Sequence, residues 1–269
     1  MIETELIEQL AVFNRFRQEA PIKFQTLGQF VLWRAGEKIG SKEWGRDKTL
    51  QLIQYLISYR HRHALHKERI MDHLWEDGND RDFKVALHGV NRILEPNRAS
   101  RTEAVFIERQ GVTYQLNLQR IWIDVDAIEK YIIIGNKAMG PMPDIAQEAY
   151  ENAIELYQGV YLPNRVFEDW SSEEREKIQI LVLGALVNLA ELLVETNPME
   201  SVRLAQQAMA IDATWEDAYR IQMQAYIAKG NRPQALKTYQ KCADILEKEF
   251  GIDPLPATKN LLKEIEAIA

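Results

Sequence analysis

Hydrophobic positions change period several times along this chain of 269 residues. Over residues 1–18, Ile2, Leu6, Leu10 and Phe13 recur among acids at helical spacing, which predicts an amphipathic helix ended by Pro21. Three short runs rich in β-branched and aromatic residues follow, IKFQTLG (22–28), QFVLWRAG (29–36) and EKIGSKEW (37–44), punctuated by Gly28, Gly36 and Gly40, and they predict strands. From Asp47 the helical period returns, with Leu50, Ile53, Leu56 and Ile57 on one face. A short helix over 67–75, a turn at EDGND (76–80) rich in capping residues and a third helix over 81–94 are predicted next. VFIERQGVTYQLN (105–117) then places two β-type runs around Gln110-Gly111, a hairpin signal.

A small sheet, three helices and a closing hairpin are the order of a winged helix-turn-helix, whose third helix enters the major groove while the hairpin lies along the backbone. On RDFKVALHGVNRILEP the inward set is expected to be Phe83, Leu87, Val90 and Leu94, which places Lys84, His88, Asn91 and Arg92 on or beside the outward face. An amide such as Asn91 can pair with adenine, His88 can donate to a base or phosphate, and Lys84, Arg92 and the hairpin's Arg109 can neutralise phosphates. The same residues also suit an ordinary solvated helix face.

After Ile121 helix breakers thin out and amphipathic stretches dominate, at 124–139, 144–159, 171–196, 199–210, 215–229, 232–250 and 255–268. Asp144 and Ser171 are expected N-caps, and Ser171 with Glu174 spells a capping box. A shift of 34 residues lays SVRLAQQAMAI (201–211) on ALKTYQKCADI (235–245), pairing Ala208 with Cys242 and Ile211 with Ile245 and, imperfectly, Leu204 with Thr238. Thirty-four residues of helix-turn-helix is the tetratricopeptide (TPR) period, and such arrays bind proteins or peptides. The aromatic stripe Tyr157, Tyr161, Trp170, Trp215, Tyr219, Tyr226 and Tyr239 is read as packing. The expected fold class is mainly α with a small β component, a winged helix-turn-helix followed by an α-helical TPR-like domain.

Charge separates the two parts. Residues 1–120 hold 19 Lys+Arg and 16 Asp+Glu, a net of +3, whereas 121–269 hold 14 and 24, a net of −10, so different partners are expected for each. All five histidines fall in the first part. The single cysteine, Cys242, excludes an intrachain disulfide and is read as a small buried residue. The longest apolar stretch, LVLGALVNLAELLV (181–194), is broken by Asn188 and Glu191, so no membrane association is expected. MIETELIEQL lacks a basic n-region and a cleavage site, which predicts no signal peptide and a cytoplasmic protein. There is no P-loop, GxGxxG, HExxH or GxSxG, so no catalytic residue is named and the chain is read as non-enzymatic. His61, His63 and His66 interleave with Arg60 and Arg62, whose charge would repel a cation, and no metal site is expected.

Larger matches then accumulate. DVDAIEKY, AYENAIELYQGVYLP with EDWSSEEREKI, AIDATWEDAYRIQMQAYIAKGNRPQALKTY and LEKEFGIDPLPATKNLL together resemble the bacterial transcriptional activator domain of SARP-type regulators, the antibiotic regulatory protein family. The closing Gly-x-x-Pro-x-x-x-Thr turn, here Gly251, Pro254 and Thr258, is part of that resemblance, which covers 124–268. IKFQTLGQFVLWRAGEKI, LHKERIMDHLWED and RQGVTYQLN resemble the OmpR-type winged helix that precedes this domain in the family. The resemblance implies a regulator with an N-terminal helix (1–20), a DNA-binding winged helix (21–120) and a TPR-like domain (121–269). Its implied partners are DNA, RNA polymerase or another transcription factor, and a second copy of the chain. One departure stands out: the family's third helix commonly carries Arg-Leu-Arg-Arg after its valine, where this chain has Val90-Asn91-Arg92-Ile93-Leu94. Fewer arginines mean fewer phosphate contacts.

A second reading follows from other arginines. Asn14-Arg15-Phe16-Arg17, Arg69-x-x-Asp72 and Asn97-Arg98-Ala99-Ser100-Arg101 set guanidinium groups beside acids, amides or an aromatic. Arg stacking on a purine with Asp accepting from its edge is a way to hold a cyclic dinucleotide such as cyclic di-GMP. Arg15, Arg17, Arg69, Asp72, Arg98 and Arg101 are then ligand candidates in a receptor that acts as an adaptor to another transcription factor. No other cofactor is expected.

Overall fold

The computed structural model describes residues 2–75 and 79–267. Part of the expected turn at 76–80 therefore lies outside the described residues. The chain forms two compact units, one from Ala11–Ala127 and Tyr157–Ile178, the other from Met1–Leu10, Ile128–Leu156 and Gln179–Ala269. Helix α1 (Ile2–Glu19) contributes to both, and Leu6 and Leu10 are its buried positions.

In the first unit, strands β1 (Ile22–Gln25), β2 (Val31–Arg34) and β3 (Glu37–Ile39) form an antiparallel meander, where three strands were expected. Residues 41–44, the end of the expected third strand, instead form a one-turn 3-10 helix. A strand that periodicity did not show, β7 (Ile121–Ile123), pairs parallel to β1, Ile22 opposite Ile121, and completes the order β3-β2-β1-β7. At its end Asp124, 1% exposed, accepts from Thr26 N (2.7 Å), Thr26 Oγ1 (2.6 Å), Leu27 N (3.0 Å) and Val125 N (2.9 Å), so every oxygen lone pair of this buried carboxylate faces a donor. Helices α2 (Asp47–Ser58), α3 (Lys67–Leu74) and α4 (Asp80–Leu94) follow. A hairpin of β5 (Ile107–Gln110) and β6 (Thr113–Leu116) then pairs with the two-residue strand β4 (Leu65–His66). Gln110 opposes Thr113, leaving a two-residue turn that starts at Gly111 with φ 61°, a value that glycine adopts without strain.

Helix α2 is buried nearly all round, and its polar residues hold the 157–178 segment. Arg165, 9% exposed, donates to Gln54 Oε1 (2.9 Å) and pairs with Asp47. Gln51 donates to Glu168 (3.1 Å), Ser58 shares a hydrogen bond with the Tyr161 hydroxyl (2.8 Å), and Trp170 meets Tyr55 edge-on at 5.6 Å. Gly28 lets this segment approach: its φ is 73° and an added Cβ would stand 2.3 Å from the Gln158 carbonyl oxygen. Arg60 completes the junction, donating from Nε to Asp126 Oδ1 (2.5 Å) and from Nη1 to the Ile57 carbonyl (2.9 Å), with Nη2 2.7 Å from Glu174 Oε1. The expected Ser171–Glu174 capping box is thus corrected. The Ser171 hydroxyl donates to the Arg165 and Glu168 carbonyls, Glu174 turns to Arg60, and the helix begins at Ser172. Asp144 likewise lies inside its helix, which starts at Pro143.

The second unit draws on α5 (Asp124–Ala138), α6 (Pro143–Leu156), α7 (Ser172–Leu193), α8 (Pro198–Ile211), α9 (Glu216–Ala228), α10 (Arg232–Phe250) and α11 (Pro256–Ala267). The repeat of 34 extends to its caps. Asn197 and Asn231 are the N-caps of α8 and α10, accepting from Glu200 N and Gln234 N, and Ala208 and Cys242 are both fully buried. Burial pushes the Cys242 thiol up to about 12. The closing motif has a physical basis: Gly251 ends α10 at φ 66°, and the buried Thr258 at the start of α11 donates its hydroxyl to Glu216. Of the aromatic stripe, Tyr161, Trp170 and Tyr219 are buried, and the first two pack in the winged-helix unit. No helix among the described residues is long and apolar enough to cross a membrane.

Candidate nucleic-acid interface

Helix α4 starts on a full capping box: the Asn79 side chain accepts from Arg81 N (2.9 Å) and Asp82 N (3.2 Å), and Asp82 accepts in return from Asn79 N. Phe83, Ala86, Val90, Ile93 and Leu94 point into the core, and Gly89 lets α4 cross α2 closely, since a Cβ there would stand 2.9 Å from Thr49. Arg34 donates to the Ile93 carbonyl and sets a positive charge at the helix's C-terminal turn, where the dipole favours it.

This leaves Lys84, His88 and Arg92 exposed, as the sequence pattern predicts. Asn91 is a correction, being 9% exposed with a buried Oδ1 that has no hydrogen-bond partner among the described residues. It follows Leu87 by four residues and Phe83 by eight, which sets it on the inward edge of the helix.

Between α4 and the hairpin lies a cleft of about 290 Å³ whose rim carries Lys67, Lys84, His88, Arg98 and Arg109, with Phe83, Leu87 and Tyr114 beneath and Asn91 in its wall. Asp80 is the single carboxylate of this lining. It lies 2.5 Å from Lys67 and also pairs with Lys84, and these two ammonium groups hold its carboxyl down at about 2. Four cations against one carboxylate leave the cleft net positive. Arg109 donates to the Gly111 carbonyl (2.8 Å), with its guanidinium 5.8 Å from the centre of the Tyr114 ring, so the wing presents it in a set direction. Arg92 forms no ion pair among the described residues and its charge is open to solvent. Sequence reasoning missed Lys67. No local signal marks it: Lys67 is the first residue of α3, and the pairing of the preceding strand β4 with the hairpin carries it to the cleft.

The model of the bacterial transcriptional activator domain family matches residues 123–266, more than half of the chain. The chain belongs to the bacterial transcriptional activator domain family. Among solved structures it is similar to Mycobacterium tuberculosis EmbR in complex with a low-affinity phosphopeptide, with a TM-score of 0.78 and 16% sequence identity over 92% of this chain and 65% of that chain. At that identity the likeness is one of fold. The search of curated proteins finds no match. The SARP-type resemblance and the expected fold class are borne out.

The other candidates of this activator-domain chain lie on three separate elements. Arg15 and Arg17 are on α1, with Arg17 5.8 Å from the centre of the Trp122 ring. Arg69 and Asp72 are on α3, and Arg69 stands over Tyr59 at 5.8 Å. Arg98 and Arg101 follow α4, Arg98 facing Glu95 at 4.0 Å and Arg101 exposed with φ 68°. Only Arg98 borders the cationic cleft. His61 accompanies Arg60 on Asp126 (2.8 Å) and His66 caps α3, and no group of three potential metal ligands occurs among the described residues.

Proposed function

We propose that this chain is a cytoplasmic, non-enzymatic transcription regulator that docks α4 in the DNA major groove and lays the β5–β6 hairpin along the phosphate backbone. The carrying observation is the net-positive cleft between α4 and the hairpin, formed on elements in the order that a winged helix requires. Lys84, His88, Arg92 and Arg109 are the proposed DNA contacts from the helix and wing, joined by Lys67. Asn91, buried at the cleft wall, reads a base only if the edge of that base reaches into the cleft. The helical unit would contact RNA polymerase, another transcription factor or a second copy of the chain.

Fluorescence anisotropy against labelled genomic fragments at about 150 mM salt tests the reading, because each phosphate contact adds about 0.9 to the slope of log K against log salt. Arg92→Ala is expected to lower that slope by about 0.9, and Lys84→Ala by less because Asp80 already neutralises part of its charge. Asp80→Asn releases both lysines and is expected to tighten binding. Sequence-selective binding that none of the three changes alters would refute the assignment of this face. Thermal shift with cyclic di-GMP on the same protein tests the receptor reading, for which Arg15, Arg17, Arg69, Asp72, Arg98 and Arg101 are the proposed contacts.

A further inference from the structure

The helical unit carries a second open groove, of about 480 Å³, lined by the ends of α7, α9 and α11. Its floor is aliphatic: Val194, Ile227 and Leu261 are half-buried, and the last two pack against the buried cluster of Met223, Ala235 and Ile265. Its rim is acidic, with Glu191 and Glu195 on one side and Glu264 on the other, and no lysine or arginine lines it. All three carboxylates are exposed, and none forms an ion pair among the described residues.

The backbone adds to this potential. Helices α7, α9 and α11 all end here, since Val194 follows the last residue of α7, Ala228 is the last of α9, and Glu264 and Ile265 lie in the final turn of α11. Each helix C-terminus bears a partial negative charge that a basic residue in the last turn normally offsets, and none of the three has one there. Arg232 donates to the Glu266 carbonyl at the tip of α11 without lining the groove. Three exposed carboxylates, with the end of α7 beside them, around an aliphatic floor are complementary to a cation carried beside an apolar side chain.

We infer that this groove docks a cationic amphipathic segment of a protein partner, its aliphatic residues on Val194, Ile227 and Leu261 and its Lys or Arg side chains on Glu191, Glu195 and Glu264. The inference rests on the reading of the helical unit as the protein-contacting part and adds the site and the chemistry of the partner. A small polyamine would satisfy the rim but leave the floor uncovered, which favours a peptide.

The test uses the full chain and a fluorescein-labelled Lys/Leu amphipathic peptide of about 18 residues, five turns of helix, with its Glu/Leu counterpart as control. The Lys/Leu peptide is expected to bind, and Glu191→Lys with Glu195→Lys is expected to weaken it at least about tenfold. Glu247→Lys with Glu249→Lys, on α10 outside the groove, changes net charge equally and is expected to shift binding less than about twofold. Circular dichroism confirms that both variants fold. Equal losses in the two variants, equal binding of the Glu/Leu peptide, no binding of the Lys/Leu peptide, or its full displacement by spermine would each overturn the inference. Binding of purified RNA polymerase, measured in parallel, separates the two levels. Polymerase retained by the Glu191→Lys/Glu195→Lys variant sinks the groove and leaves the broader reading standing.

Discussion

Replacing Arg60 by methionine isolates the contribution of a buried charge that joins the 157–178 segment to the winged helix. The Arg60 side chain is 1% exposed, and its guanidinium faces Asp126 at 2.5 Å and Glu174 at 2.7 Å, carboxylates that are themselves 12% and 10% exposed. Burial works against the charged guanidinium, but the two carboxylates outweigh it and raise its pKa. Methionine keeps most of the aliphatic stem and removes the cation, leaving two carboxylates in a site with little water. Breaking a buried pair by removing one partner costs about 3–5 kcal/mol at neutral pH. With a urea m-value of about 2 kcal/mol/M, the midpoint falls by roughly 2 M. Tryptophan fluorescence reports on this unit, because Trp33, Trp44, Trp75, Trp122 and Trp170 belong to it and only Trp215 does not.

The pH dependence supplies the sharper check. Burial alone would raise the Asp126 carboxyl, but the His61 hydrogen bond and the Arg60 charge overcome it and hold the group below its ordinary 3.8. A depressed pKa contributes stability that is present above 3.8 and is lost as pH falls through the folded value. Without Arg60 the His61 hydrogen bond still opposes burial, but one of the two groups that hold the Asp126 carboxyl down is gone, so its folded pKa rises relative to wild type and less stability is gained as it ionises. The gap between wild type and Arg60→Met is therefore expected to widen from about pH 3 to about pH 7. The triple variant with Asp126→Asn and Glu174→Gln, which leaves no buried charge, is expected to regain at least half of the loss. A cost below about 1 kcal/mol at pH 7, or one that is the same at both pH values, would refute the reasoning.

Other expectations follow from single contacts. Gly28→Ala combines a φ of 73° with a Cβ 2.3 Å from the Gln158 oxygen, and is expected to destabilise the winged-helix unit by about 2–4 kcal/mol in urea unfolding; a loss under about 0.5 kcal/mol contradicts the close approach. Asp124→Ala strips the acceptor from three backbone N–H groups and the Thr26 hydroxyl, and is expected to cost at least about 3 kcal/mol, read by the same fluorescence. Cys242, fully buried and with its thiol pushed up to about 12, is expected to ignore a thiol reagent in the native protein and to react fully once unfolded.

What the sequence made legible was local. Helix spacing and the glycine-centred hairpin each declare themselves within a dozen residues, whereas the caps do not: Asp144 and Ser171 were expected, and Asn197 and Asn231 are among those that cap. The strand β7 did not, because Ile121–Ile123 is too short to show a period and its partner β1 lies nearly a hundred residues earlier. The burial of Asn91 is legible in its spacing, since four residues from Leu87 and eight from Phe83 turn it inward. The cationic cleft was half visible. Lys84, His88 and Arg109 came from the pattern of α4 and the wing, whereas Lys67 and Arg98 reach the cleft only because the tertiary fold brings the start of α3 and the loop after α4 beside them.

The grouping of 157–178 with the winged helix has the same origin and a further consequence. Its anchors are polar pairs, Arg165 with Gln54 and Asp47, Glu168 with Gln51, and Glu174 with Arg60, which a search for apolar periodicity passes over. Within the segment Trp170 covers Tyr55 while Glu174 answers Arg60. The family match at 123–266 therefore includes a segment whose packing partners lie on α2, at residues 47–58. An activator domain expressed without the winged helix would leave Trp170, Arg165 and Glu174 without these partners. Such a fragment is expected to expose 157–178 to limited proteolysis that the full chain resists at the same sites. Equal protection in fragment and full chain would show that α2 is not what orders the segment.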